Sequence, residues 1–140
     1  MRRRNERGSV TVWVVLIVMV LTMVLGLAVD LAGQVTAKRQ ASDVAAQAAR
    51  AAGQQVNADA YLNDGSSVEV QVAKAKAAAL DYTAAAGMTG TAQVESGTEL
   101  VVDTTTTYRP VFLSAFGIGE LTVTGTASIR VVRVEDGKER

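Results

Sequence analysis

Val10 to Val29 form an unbroken apolar run, VTVWVVLIVMVLTMVLGLAV, with no charged side chain. Thirteen of its residues are Val, Leu or Ile. At about −0.3 to −0.6 kcal/mol each for insertion they sum to roughly −4 to −8 kcal/mol, an upper bound because end positions count less. As a helix the run spans about 30 Å, the thickness of one hydrocarbon core. The pattern therefore predicts a transmembrane helix over 10–29. Beyond it the period changes but the helix does not stop. Residues 30–56 contain no Pro, and Thr36, Gln40, Asp43, Gln47, Arg50 and Gln54 recur at spacings of three and four, a polar stripe along one helical face. A second row, Gly33, Ala37, Ala41, Ala45, Ala49 and Gly53, places a small residue at every fourth position. Such a row forms a smooth groove that lets another backbone approach closely, either this chain's own sheet or a neighbouring subunit's helix. Helix propensity alone also favours Ala at each of these positions.

The polar pattern from Asn57 to Ser67 predicts a loop with Asn63-Asp64-Gly65 as its turn. Ser66 followed by Glu69 fits a capping box, and Val68 to Ala86 then reads as a second helix ending at Gly87. From Gln93 the period becomes two. Gln93-Val94-Glu95, a Ser96-Gly97 turn and Leu100 to Tyr108 predict a hairpin. After Pro110 comes a short apolar segment, Val111 to Phe116, expected to form one helical turn. Leu121 to Val134 predicts the last strand, with Leu121, Val123, Ala127, Ile129 and Val131 on one face and Thr122, Thr124, Thr126, Ser128 and Arg130 on the other. The fold class expected is α+β: a single transmembrane helix running into an Ala-rich helix, a second helix, then a small antiparallel sheet. The expected organisation is a basic leader at 1–9, the membrane helix at 10–29, an extracytoplasmic helix at 30–56, a small α+β domain at 57–134 and a charged tail at 135–140.

Charge gives this plan a direction. Arg2, Arg3, Arg4 and Arg7 precede the apolar run against Glu6 alone, and the first charge after it is Asp30. The positive-inside rule keeps the basic end in the cytoplasm and sends residues 30–140 across the cell membrane, as a single-pass protein with its C-terminus outside. A cleaved secretory signal would need a shorter apolar core and a small-x-small site after it, and Ala28 to Gly33 offers no clean one, so an uncleaved signal-anchor is favoured. Asp30 itself reads as an interfacial charge that stops the span, or as a partner for a basic group on a neighbour; the first is favoured. The segment VFLSAF reads either as an exposed membrane- or partner-docking turn or as a plug. The plug is favoured, because a small sheet needs a cover.

Composition narrows the chemistry. Lys plus Arg and Asp plus Glu both number 14, so the chain has no basic footprint for nucleic acid. There is no Cys and no His, which removes disulfides, thiolate metal sites and the usual general base at neutral pH. No cofactor is expected. Asp59, Asp64, Asp81, Glu95, Glu99 and Asp103 remain as carboxylates outside the membrane, but none has a recognisable catalytic spacing, and an enzyme is not expected.

Three motifs in order carry a resemblance. Arg7-Gly8 precedes the span, Val29-Asp30 closes it, and Asp43-Val44-Ala45-Ala46 opens an Ala-rich helix about a dozen residues later. This N-terminal region, residues 7–53, resembles TadE/TadG-like proteins of Flp-type (Tad) pilus assembly, and the end, RPVFLSAFGIGELTVTGTASIRV, resembles that family's last element. The resemblance implies a minor-pilin or pseudopilin-like structural component that packs through its helix on other pilus-assembly subunits. It also implies a prepilin-type processing site between Gly8 and Ser9. Pilin-like proteins of this class carry Glu five residues into the mature chain; here that position is Trp13. The alternative function is a membrane-anchored extracytoplasmic binding module unconnected to a pilus.

Overall fold

The computed structural model describes residues 7–62, 68–95 and 99–130, with side chains over 10–56, 70–95 and 99–130. Its elements follow the order α1 (Arg7–Leu62), α2 (Val68–Ala85), β1 (Thr89–Glu95), β2 (Glu99–Tyr108), a 3-10 turn (Leu113–Phe116) and β3 (Leu121–Arg130). This is the α+β arrangement that the patterning predicts.

Helix α1 is one continuous element of 56 residues, about 84 Å long at 1.5 Å per residue. Its side chains from Val10 to Val29 point outward without internal burial, apart from the half-buried Gly26. Among the described residues α1 is the one helix long and apolar enough to cross a membrane. The polar stripe from Thr36 to Gln54 is exposed throughout. The helix runs on to Leu62 where the sequence predicts a loop from Asn57. No Gly or Pro interrupts 54–62, and the propensity cost of Asn57 and Asp59 is only some tenths of a kcal/mol each, too little to break it. The predicted Asn63-Asp64-Gly65 turn, Ser66 of the capping box, the Ser96-Gly97 turn and the strand beyond Arg130 lie outside the described residues.

Helix α2 ends where Gly87 takes a left-handed φ of 71°. Gly87 N–H donates to Ala84 O at 2.9 Å and Met88 N–H to Thr83 O at 3.0 Å, the paired bonds of a Schellman cap. The sheet has order β1-β2-β3, antiparallel throughout. β1 begins at Thr89, four residues before the alternation signals it, because Thr89 to Ala92 pair with Thr105 to Val102 of the longer strand. β2 and β3 pair from Glu99↔Arg130 to Tyr108↔Leu121. β3 alternates as predicted, with Val123 and Gly125 buried and Thr122, Thr124, Thr126, Ser128 and Arg130 exposed.

One face of the sheet is covered by the two helices and the other is a Thr-rich surface. The core is built of small groups: Ala48, Ala49 and Ala52 of α1 and Ala75 and Ala79 of α2 meet Leu100 and Val102 of β2. Tyr82 Oη donates to Gln47 Oε1 at 2.5 Å and ties the helices at their solvent edge. Such a thin core depends on close approach rather than on large side chains.

Candidate functional site: the junction of membrane helix and sheet

The row of small residues on α1 is where helix and sheet meet. Ala41, Ala45 and Ala49 are buried, and Gly33, Ala37 and Gly53 are half-buried. A Cβ on Gly33 would overlap the Tyr108 ring and hydroxyl, and one on Gly53 would meet Ile129 Cδ1. The sheet answers with its own small residue. Thr104 and Gly125 are cross-strand partners, and a Cβ on Gly125 would fall on the backbone of Ala41 and Ser42. Thr104, fully buried, donates its hydroxyl to Ala41 O at 2.7 Å, with Gly125 O at 3.3 Å as a second acceptor. Of the two partners open to this row from sequence, the structure seats this chain's own sheet on it.

Toward the membrane the junction ends in a clasp built on Asp30. Asp30 is 2 % exposed. Its Oδ1 accepts Val111 N–H at 2.7 Å, its Oδ2 accepts Leu113 N–H at 2.6 Å, and Phe112 N–H is shared between them at 3.2 and 3.0 Å. Phe112, the cap of the 3-10 turn, and Leu113, its first residue, have N–H groups that the turn leaves without internal partners, and Val111 adds the N–H just before it; a carboxylate there also meets the positive end of the peptide dipoles. Burial pushes the Asp30 pKa up. The backbone N–H groups of Leu113, Phe112 and Val111 and the Tyr108 hydroxyl more than offset this, and the carboxyl sits below its ordinary value. Asp30 closes the apolar span, as the sequence suggests, but it is an internal cap for a loop eighty residues away rather than a charge facing water. Its position in the sequence carries no sign of this partner.

Below the clasp, the Phe112 ring lies on Gly26 so closely that a Cβ there would overlap it. Phe116 stacks against Phe112 at 5.4 Å between centroids and 52° between planes. The segment VFLSAF therefore divides. Phe112 and Leu113 are half-buried and plug the gap between sheet and helix, while Val111 and Phe116 face outward. Gly117 ends the turn with φ 83° and donates to Ser114 O at 3.1 Å.

Gly8 and Ser9 fall in the first turn of α1. Of the carboxylates noted from sequence, Asp81, Glu95 and Glu99 are exposed, and Asp103 accepts the Thr126 hydroxyl at 2.6 Å; the side chains of Asp59 and Asp64 lie outside those described. Among the described residues no three metal-binding side chains gather in one place. What this geometry does is join a membrane-length helix to a sheet at fixed height and angle, through backbone-to-backbone contact and one buried carboxylate. No curated protein and no solved structure matches the chain. Residues 8–55 match the Tad family model, TadE/G-like and named for Flp pilus assembly, so the apolar helix and the Ala-rich extension that carries this junction are similar to that family, and the match does not reach the second helix or the sheet.

Proposed function

We propose that the chain is a membrane-anchored, minor-pilin or pseudopilin-like structural component of a Flp/Tad-type pilus or a related secretion assembly. The family match supports a pilus-associated role in general. The observation that carries the finer reading is the continuity of α1. One helix provides both the apolar span and the platform for the sheet, so a subunit held in the membrane presents its domain in a single orientation. The basic leader lies in the cytoplasm and the sheet outside. Because the small-residue row is covered by this chain's own strands, contact with other subunits falls to the bare span, the polar stripe and the Thr-rich face. In this role the chain works as a scaffold and not as an enzyme.

The test is chemical cross-linking in cells carrying the full chain, with photoreactive residues placed at Gln40 on the stripe and at Thr124 on the open sheet face. Adducts with pilus-assembly subunits are the expected result. Adducts to a soluble ligand alone, with pilus production unchanged when the gene is deleted, would replace this reading with that of an independent binding module.

A further inference from the structure

The segment Pro110–Gly119, PVFLSAFGIG, holds ten residues without a charge, enclosed by Arg109 and Glu120. Those two form an ion pair at 2.6 Å across the neck of the loop, both well exposed. Inside the neck, Val111 is 73 % exposed, Phe116 58 % and Ile118 41 %. Three exposed apolar side chains within one ten-residue loop mark it as a candidate contact surface.

The height of the loop on α1 identifies what that surface contacts. Phe112 rests on Gly26, inside the apolar run and four residues, about 6 Å, before Asp30. The Asp30 clasp holds Val111, Phe112 and Leu113 at that level. Around them Leu25, Leu27 and Val29 of α1 are exposed too. Exposed apolar side chains of the span and of the loop thus lie at one level of α1, where Phe112 meets Gly26 and Phe116 lies beside Phe112, and the charges that bound the loop neutralise each other in an ion pair. A helix that spans a bilayer over 10–29 carries this loop into the same bilayer.

We infer that Pro110–Gly119 is a second membrane contact, a foot that seats Val111, Phe116 and Ile118 among the lipid headgroups and upper acyl chains of the leaflet next to Val29. The inference rests on α1 spanning the bilayer. Aromatic and aliphatic side chains suit that zone, with polar backbone satisfied from within. Here Asp30 satisfies the N–H groups of 111–113, while the carbonyls of Val111, Phe112, Leu113 and Ser114 accept from Ser114, Ala115, Ile118 and Gly117. Lying on the lipid, the foot limits the tilt of the helix and keeps the sheet off the membrane.

Trp13 is the single tryptophan of the chain, and this permits a direct test. The full chain is reconstituted in phosphatidylcholine vesicles brominated either near the carbonyl end or near the methyl end of the acyl chain. Trp13 fluorescence in the native chain reports on the span. Phe116→Trp and Ile118→Trp, each in a Trp13→Phe background, report on the foot. The expected result is quenching of both foot probes, stronger with bromine near the carbonyl end. If Trp13 is quenched while neither foot probe is, the foot is refuted and the span stands. If Trp13 is not quenched either, the spanning helix itself is refuted and the foot with it. A blue-shifted foot probe that lipid bromine does not quench assigns the patch to contact with protein, a second copy of this chain or the chain itself, and overturns the proposal.

Discussion

Gly125→Ala isolates the contact on which the junction depends. Replacing Gly by Ala inside a strand ordinarily stabilises by about 0.5–1 kcal/mol, because the unfolded chain loses freedom. At Gly125 the added Cβ falls on Ser42 N and on the carbonyl of Ala41. These are backbone atoms of a helix and cannot rotate aside. The strand must lift from α1, an overpacking cost of about 1–3 kcal/mol. Lifting also lengthens the Thr104–Ala41 hydrogen bond, now 2.7 Å, whose net worth is about 1 kcal/mol. The unfavourable terms win, leaving a loss of about 1–3 kcal/mol. Against a total stability of about 5–15 kcal/mol for a typical domain this is readily measured. Gly119 provides the control: it has open space where its Cβ would go and no left-handed φ, so Gly119→Ala stabilises by about 0.4–1 kcal/mol. The assay is urea unfolding in detergent micelles, followed by amide exchange in β2 and β3, since total helicity is dominated by the span. If Gly125→Ala matches Gly119→Ala, the close approach of strand and helix is wrong.

Two further outcomes are expected. A carboxyl whose folded pKa is lowered contributes stability above its unfolded value and loses it as pH falls through the folded one. Protection of the Val111, Phe112 and Leu113 amides, corrected for intrinsic exchange rate, should therefore hold at neutral pH and fall on acidification below the ordinary carboxylate range. Asp30→Asn should weaken it at neutral pH and remove the acid step; an acid step that survives in Asp30→Asn would assign it to another group. At the other end of α1, with Trp13 in place of the Glu of conventional pilins, the mature protein is expected to keep Gly8 and the residues before it. A mass corresponding to a chain that starts at Ser9 would establish prepilin-type processing and overturn that expectation.

The long-period features were legible in the sequence because one physical term sets each. Transfer free energy alone marks 10–29, and uninterrupted helix propensity carries α1 onward. Alternation marks β3 because one face is buried and the other wet. The polar stripe is equally plain, since solvent selects it. Features fixed by distant partners were not legible. Asp30 looks like a boundary charge, and only the return of residues 111–113 to its side makes it a cap. Gly26 is an unremarkable residue of an apolar run until Phe112 lands on it. The start of β1 was hidden because Thr89 to Ala92 carry little pattern of their own and are ordered by pairing with β2. The small-residue row announces close packing, but its chemistry is the same whether a sheet or a helix lies against it.

From Gly26 to Gly53 the contacts between α1 and the sheet are spread along the helix axis over about 40 Å. Phe112, Asp30, Tyr108, Thr104 and Ile129 follow one another in that direction. A pull applied along the axis, through the membrane segment, loads all of them in parallel as shear. A sideways force on the sheet would instead peel them one by one, starting at an end. The domain is thus mechanically anisotropic, strong along the direction in which its anchor points and weak across it.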